Sequence, residues 1–400
     1  MDKPDPIPAA YTLRELAIVK HTLLESYLEK LLLIIGSSQR LQKRVKFCYV
    51  DCFAGPWGDE SEQLETTSIA ISLRVLAACK VKLEGNGIAT EIRAIYVEQN
   101  KIAYGRLTTF LAGSTPEGIE AIPLRGDFVQ LRSEILLRAG SDTFCFFFID
   151  PTGYTEVGVN ILRPLLERPR SEFLINFMYD FANRVISRET ESWQRQTRDL
   201  LGTNIDLHGL SSLAREQAAL ATYLTNLRSC MQIPMDSRYQ GRSAYVRILH
   251  RVKERPHYHL VYLTRHPRGI VEFMKISEHV DLVQKQVRAV TKQAERETRS
   301  GTLDLFEANT WIDHASGHAL STDVDAYWLK YLALGEKQVS QYEFADILES
   351  TGWFESDLQA SLVRLIAARK VTNLNANGRR RTRPLHFEIK SGERLALCAE

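Results

Sequence analysis

Four acidic residues of this 400-residue chain, Asp51, Glu98, Asp127 and Asp150, each stand at or just beyond the end of an apolar run and precede turn-forming residues. Asp51 closes Phe47-Cys48-Tyr49-Val50 and opens Cys52-Phe53-Ala54-Gly55-Pro56-Trp57-Gly58, the pattern of a buried strand that delivers into a ligand loop. Only Gly55 and Gly58 are glycine there, so no Gly-x-Gly-x-x-Gly can be read and a pyrophosphate cradle is disfavoured. An acid followed by Phe53-Ala54-Gly55, where backbone can approach an amino-acid moiety and no phosphate needs neutralising, suits S-adenosylmethionine. Glu98 ends Ile92–Val97, where a carboxylate accepts both hydroxyls of a ribose. Asp127 is placed to accept the amino group of adenine while Phe128 packs on the ring; it also stands where a helix N-cap would. Asp150 follows Phe144–Ile149 and begins Asp150-Pro151-Thr152-Gly153-Tyr154. That turn partly matches the Asp/Asn-Pro-Pro-Tyr/Phe turn of enzymes that methylate amino groups. In such a turn Asp150 accepts from a target NH2 beside Pro151, and Tyr154 stacks on its ring, as flipped bases are held. Thr152 and Gly153 depart from it.

These acids need strands that end at one rim. Their order, at intervals of roughly 25–45 residues, fits repeating βαβ units, a Rossmann-like α/β sheet and a nucleoside-type ligand. Thr12–Ser37 carries apolar residues at helical spacing and predicts a long leading helix, placed to cover the edge of a cofactor pocket. Thr67–Lys80, Lys101–Leu111 and Phe128–Arg138 predict crossover helices, and Phe173–Met178 a fifth strand ending near Tyr179, Asp180, Asn183 and Arg184. Tyr245–His250 and Tyr258–Leu263 predict a closing antiparallel pair. His257 with His259, and His314 with His318, share faces as metal ligands do, but with no carboxylate or cysteine at matching spacing no metal site is expected.

The expected organisation is a loose arm over 1–11, the methyltransferase-like domain over 12–184 and 240–280, and a helical insertion over 185–239. A helical linker over 281–322 and a winged helix over 323–400 follow. The insertion is rich in arginine (Arg188, Arg195, Arg198) and can meet a nucleic-acid backbone or present a solvated face. In the last unit, Val371–Leu374 and Leu385–Ile389 predict a two-stranded wing whose tip bears Arg379, Arg380, Arg381 and Arg383, a phosphate-contacting device.

Hydrophobic content of 44% and charged content of 25% are those of an ordinary globular protein, and a net charge of +2 makes any basic surface local. Six cysteines without a Cys-x-x-Cys pair read as reduced thiols of a cytoplasmic protein. No signal peptide and no apolar run of the ~20 residues a membrane span needs can be found.

Four separated segments resemble the three-Cys-motif partner (TcmP) family: Leu13–Tyr27 with Lys20, Tyr49–Trp57, Phe148-Ile149-Asp150-Pro151, and Leu263–Gly269 with Met274-Lys275. The resemblance spans about residues 12–280. It implies a class I S-adenosylmethionine-dependent methyltransferase fold and a neighbouring radical-enzyme-like protein with a three-cysteine motif as partner. Asp51, Gly55, Glu98, Asp127 and Asp150 are carried over as positions of the methyltransferase pattern. The expected function is methyl transfer to a nucleic-acid base, an amino group of adenine or cytosine first. The rival is a non-catalytic nucleic-acid-binding partner or scaffold, and a nicotinamide oxidoreductase is disfavoured by the missing glycines.

Overall fold

The computed structural model describes residues 11, 15–39, 41–55, 66–180, 183, 191–207, 209–232, 240–303, 319–376, 383–389 and 391–398. Seven strands form one sheet: β1 (Arg44–Asp51), β2 (Ala89–Glu98), β3 (Ile119–Arg125), β4 (Phe144–Ile149), β5 (Ser171–Phe177), β6 (Arg242–Leu249) and β7 (Pro256–Thr264). Their order is β3-β2-β1-β4-β5-β7-β6, with β7 antiparallel to both neighbours and every other pairing parallel. That order is typical of class I methyltransferases. The order reverses between β1 and β4, the point at which open α/β sheets bind ligands.

Alternation along the central strands builds two cores. Phe47, Tyr49, Phe146, Phe148 and Leu174 face one side. It is covered by α1 (Glu15–Ser38), α2 (Ser68–Gly85), α3 (Lys101–Ser114) and α8 (Pro267–Ser300). Cys48, Val50, Cys145, Phe147, Phe173 and Ile175 face the other, under α4 (Phe128–Ala139), α5 (Val159–Leu166), α6 (Glu191–Leu201) and α7 (Ser212–Cys230). A strand reading Phe-Cys-Phe-Phe-Phe-Ile is stable only with both faces dry, each buried phenylalanine contributing about 2–3 kcal/mol. All six cysteines are free thiols, five of them buried.

The segment after β7 locks the end of the sheet opposite the ligand rim. Arg265 is buried, and its guanidinium donates to the carbonyls of Leu166, Arg168 and Met231 and to Ser171 Oγ. Burial lowers its pKa to about 10. His266 caps α8 by accepting the Arg268 N–H, and Pro267 opens the helix where no amide hydrogen is needed. At Gly269 a Cβ would stand 2.4 Å from the Tyr262 hydroxyl, so the close approach admits only glycine. That helix, α8, runs unbroken from Pro267 to Ser300, past the boundary expected at 281.

The last unit contains α9 (Ser321–Leu332), β8 (Lys337–Val339), α10 (Gln341–Thr351), α11 (Glu355–Ala367), β9 (Val371–Asn373) and β10 (Glu393–Leu397). Its three strands form an antiparallel sheet in the order β8-β10-β9. Ser340 and Glu343 form a capping box at the start of α10. Leu385–Ile389, expected as a strand, is not one: the Gln359 amide takes both the N–H and the carbonyl of Leu385, and β10 takes the place beside β9. The unit docks on the sheet's free edge. Glu349 accepts the Ser243 N–H of β6 at 2.8 Å and the Arg228 guanidinium at 3.0 Å, while Gln284 of α8 accepts the Leu249 N–H at 2.6 Å. Edge amides that would otherwise invite another strand are thereby satisfied.

Candidate functional site

The register of β1 with β2 and β4, and of β2 with β3, carries Asp51, Glu98, Asp127 and Asp150 to one rim of the sheet. Three of them are engaged in building it. The Asp51 side chain is fully buried; its Oδ2 accepts from Ser68 Oγ at 2.7 Å and its Oδ1 from the Phe53 N–H at 3.2 Å. It thus ties the first turn after β1 to the start of α2. Burial raises its pKa to about 6, against the opposing pull of Ser68 and the Phe53 amide. Glu98 accepts the Asn100 N–H at 2.6 Å, and Asn100 in turn caps α3. Asp127 caps α4 by accepting the Gln130 N–H at 3.1 Å. Ala54 is buried, its N–H donating to the Val97 carbonyl, and Phe53 packs on Phe128 with ring centroids 5.1 Å apart. Phe128, expected against an adenine ring, is instead only 3% exposed and part of the core, because as the first residue of α4 it turns inward. Pro56, Trp57 and Gly58 lie outside the described residues.

On the β4 side of the reversal a cavity of about 600 Å³ opens. Gly55, Asp150, Pro151, Asn176, Tyr258 and Lys20 are among its walls. Lys20, from α1, pairs with Asp150 Oδ2, and Asn176 Nδ2 donates to Asp150 Oδ1 at 2.7 Å. The leading helix therefore supplies a cation to the site as well as a cover. Tyr258 donates its hydroxyl to the Leu16 carbonyl at 3.1 Å, fixing the start of that helix over the cavity. Tyr154 is absent from the walls: its hydroxyl donates to Gln196 of α6 at 2.8 Å, so the expected stacking residue braces the insertion instead. The departure at Thr152-Gly153 had marked this turn as irregular.

The two histidines on β7 have separate partners. His257 Nδ1 lies 2.9 Å from Asp180 Oδ2, an acid that also pairs with Arg255, and His259 Nε2 lies 3.0 Å from Glu216 Oε1. Among the described residues no group of three His, Cys, Asp or Glu is placed to hold a metal ion. His314 and His318 lie outside those residues, as do Arg188, Arg379, Arg380 and Arg381. Arg383, the fourth wing arginine, is held by Glu355 and Glu388 and lies over the Phe387 ring, which leaves it a structural role.

No family model and no curated protein matches the sequence. Among solved structures the chain is similar to a DUF574 family protein from Streptomyces avermitilis, at 12% identity over 61% of this chain and 83% of that one. The TM-score is 0.30, too low to carry an argument about either fold or function. The class of the fold rests on the strand order and on the single antiparallel strand. Among the described residues no helix is long and apolar enough to cross a membrane.

Asn176 and the use of Lys20 are what sequence reasoning missed at this site. The signal was present in Phe173-Leu174-Ile175-Asn176-Phe177, where one amide interrupts a strand buried along its whole length. A buried polar side chain in such a strand needs partners, and the acid at the end of the neighbouring strand was the nearest.

Proposed function

We propose that this chain is an S-adenosylmethionine-dependent methyltransferase of the three-Cys-motif partner kind, acting on an amino group of a nucleic-acid base. The observation that carries the reading is the cavity at the reversal of a class I methyltransferase strand order, with Asp150 and Pro151 in its wall and Gly55 at its border. The chemistry of the rim fits the cofactor. Acids end β1 and β2 and follow β3, which suits a cationic, hydroxyl-bearing nucleoside and opposes a pyrophosphate. Glu98 would hold the ribose, Asp127 the adenine and the Gly55 backbone the methionine moiety; bound there, the cofactor would supply an electrophilic methyl group. Asp51 serves this half by shaping its turn. The chain's own contribution to transfer is positioning: Lys20, Asp150 and Asn176 form one bonded set that fixes the acceptor. The order helix-strand-helix-helix-strand-strand of the last unit is that of a winged helix, and its arginines at 379–381 support contact with phosphates.

The non-catalytic partner reading is favoured by one observation, that both Asp150 oxygens already have partners within the protein. Calorimetric titration with S-adenosylmethionine, followed by a radiolabelled transfer assay on DNA and RNA, separates the two. Binding that weakens at least about tenfold in Glu98→Ala, with transfer to nucleic acid, supports the enzyme. Binding without transfer to any nucleic acid supports the scaffold, and no binding refutes the cofactor assignment.

A further inference from the structure

A nitrogen that gains a methyl group must lose a proton, and most titratable groups in the described walls of the cavity are already engaged. Asp150 holds Lys20 on one oxygen and Asn176 on the other. Glu15 pairs with Arg251 at 4.0 Å. Tyr258 donates its hydroxyl to the Leu16 carbonyl, and burial pushes its pKa up, so it stays neutral. His250 Nδ1 accepts the N–H groups of Val252 and Lys253, each at 3.3 Å, so its hydrogen sits on Nε2 and no lone pair is left.

His257 differs. Its Nδ1 lies 2.9 Å from Asp180 Oδ2, and because a carboxylate only accepts, Nδ1 carries the hydrogen. The neutral ring therefore keeps its lone pair on Nε2. Among the described residues, the only buried side-chain nitrogens and oxygens lacking a partner belong to Glu156, Asn176, His259 and Ser356. His257 Nε2 has no such partner either, so it is accessible, in a side chain 31% exposed. His257 lines the cavity and Asp180 does not, so the ring meets the cavity with the edge away from Nδ1, where Nε2 lies. Asp180 is itself held by Arg255 at 3.0 Å, and the rings of His250 and Tyr258 stand edge-on to His257 at 6.1 and 5.4 Å.

We infer that His257 Nε2 is the general base of this site, taking the proton that the acceptor nitrogen loses as it is methylated. The inference rests on the methyltransferase reading above and adds a catalytic residue to it. The nitrogen's electron pair forms the new bond to carbon while the carbon–sulfur bond breaks and its pair stays on sulfur. One N–H bond breaks, its pair remains on nitrogen, and the proton passes to His257 Nε2. Asp180 holds the ring in the accepting tautomer and stabilises the imidazolium, which returns the proton to water. An exocyclic amino group is a weak nucleophile because its pair is delocalised into the ring, and losing the proton in the transition state spares it a full positive charge.

The first test needs no substrate. In the full chain labelled with nitrogen-15 histidine, spectra at pH 8 should show His257 protonated on Nδ1 and His250 on Nε2. The signals lost in His257→Gln and His250→Gln assign them. The opposite tautomer at His257 overturns the inference. The second test measures methyl transfer from S-adenosylmethionine to single-stranded DNA and RNA. His257→Ala should lose about a hundredfold in kcat while still binding S-adenosylhomocysteine, which also shows that it folds. Added imidazole should restore much of the rate, as replacing a merely structural contact would not. The wild-type rate should fall toward acid pH, and that fall should be absent from His257→Gln. An unchanged rate in His257→Ala, or a loss that imidazole leaves in place in the folded variant, overturns the inference and leaves the methyltransferase reading intact. A wild type that transfers methyl to neither nucleic acid refutes that reading, and this inference with it.

Discussion

Asp51→Asn is expected to make the protein more stable, and only where Asp51 is charged. The fold buries this carboxylate completely and raises its pKa from the ordinary 3.8 to about 6. The sign follows from that direction. Below about pH 3.8 the group is neutral in both folded and unfolded chains; between there and pH 6 the unfolded chain ionises first, so stability is lost; above pH 6 the loss is complete. With about 1.4 kcal/mol for each pH unit, the ionised group costs the fold about 3 kcal/mol at neutral pH. Asparagine avoids that cost and can keep both contacts, its oxygen accepting the Phe53 N–H and its nitrogen donating to Ser68 Oγ. Losing the charge-assisted strength of those bonds returns about 1 kcal/mol, for a net gain of about 2 kcal/mol. Urea denaturation at pH 7.5 and at pH 4 measures it: the gain should be present at the first and nearly absent at the second. Equal stability of the two proteins at pH 7.5, or the same gain at both pH values, would refute the account of Asp51 as an ionised group held against its solvation. A residue kept at such a cost is one the site needs, so the stabler variant should bind S-adenosylmethionine more weakly.

Lys20→Met removes the cation from Asp150. It should lower methyl transfer by about a hundredfold through misplacement of the acceptor while leaving S-adenosylhomocysteine affinity nearly unchanged by calorimetry. Arg265→Met strips the donors from three carbonyls and a serine hydroxyl at the far end of the sheet, and should cost about 3 kcal/mol or more, read as a lower urea midpoint. If the midpoint does not move, those bonds contribute nothing to the fold. Tyr154→Phe loses one hydrogen bond to Gln196, worth about 1 kcal/mol, and should transfer methyl groups at the wild-type rate. A tenfold fall in rate would return Tyr154 to the acceptor.

The sheet was legible because its strands obey simple rules. Phe144–Ile149 is too apolar for an exposed face, and an acid ends or follows each of the first four strands, so both the layers and the rim could be read. What was not legible depends on side-chain direction. Nothing in Asp127-Phe128 says that the ring turns into the core against Phe53, or in Asp150–Tyr154 that the tyrosine reaches across to the insertion. The wing failed for a related reason. Leu385–Ile389 alternates as a strand should, but its backbone partner is the Gln359 side chain, 26 residues earlier in the chain. Long-range partners of that kind leave no local pattern.

The position of Lys20 connects the interior to the site. Seven residues, about two turns, separate it from Tyr27 on α1, so the two share a face of the helix. Tyr27 donates to Glu172 of β5 at 2.9 Å, bonds with the Tyr262 hydroxyl, and is joined there by Thr264, which donates to Glu172 at 2.8 Å. Glu172 is an acid inside an apolar core, its pKa raised by burial and held back by those three hydroxyls. Leucines would pack the same space at lower cost, but they would let α1 slide or rotate, since apolar contacts have little direction. A carboxyl group with fixed donors allows one register. That register sets Tyr27, and two turns away it brings the Lys20 ammonium to Asp150, whose other oxygen orients Asn176. The polar cluster in the core is thus explained by the geometry it imposes on the cavity, where a shift of an ångström would break the bonded set.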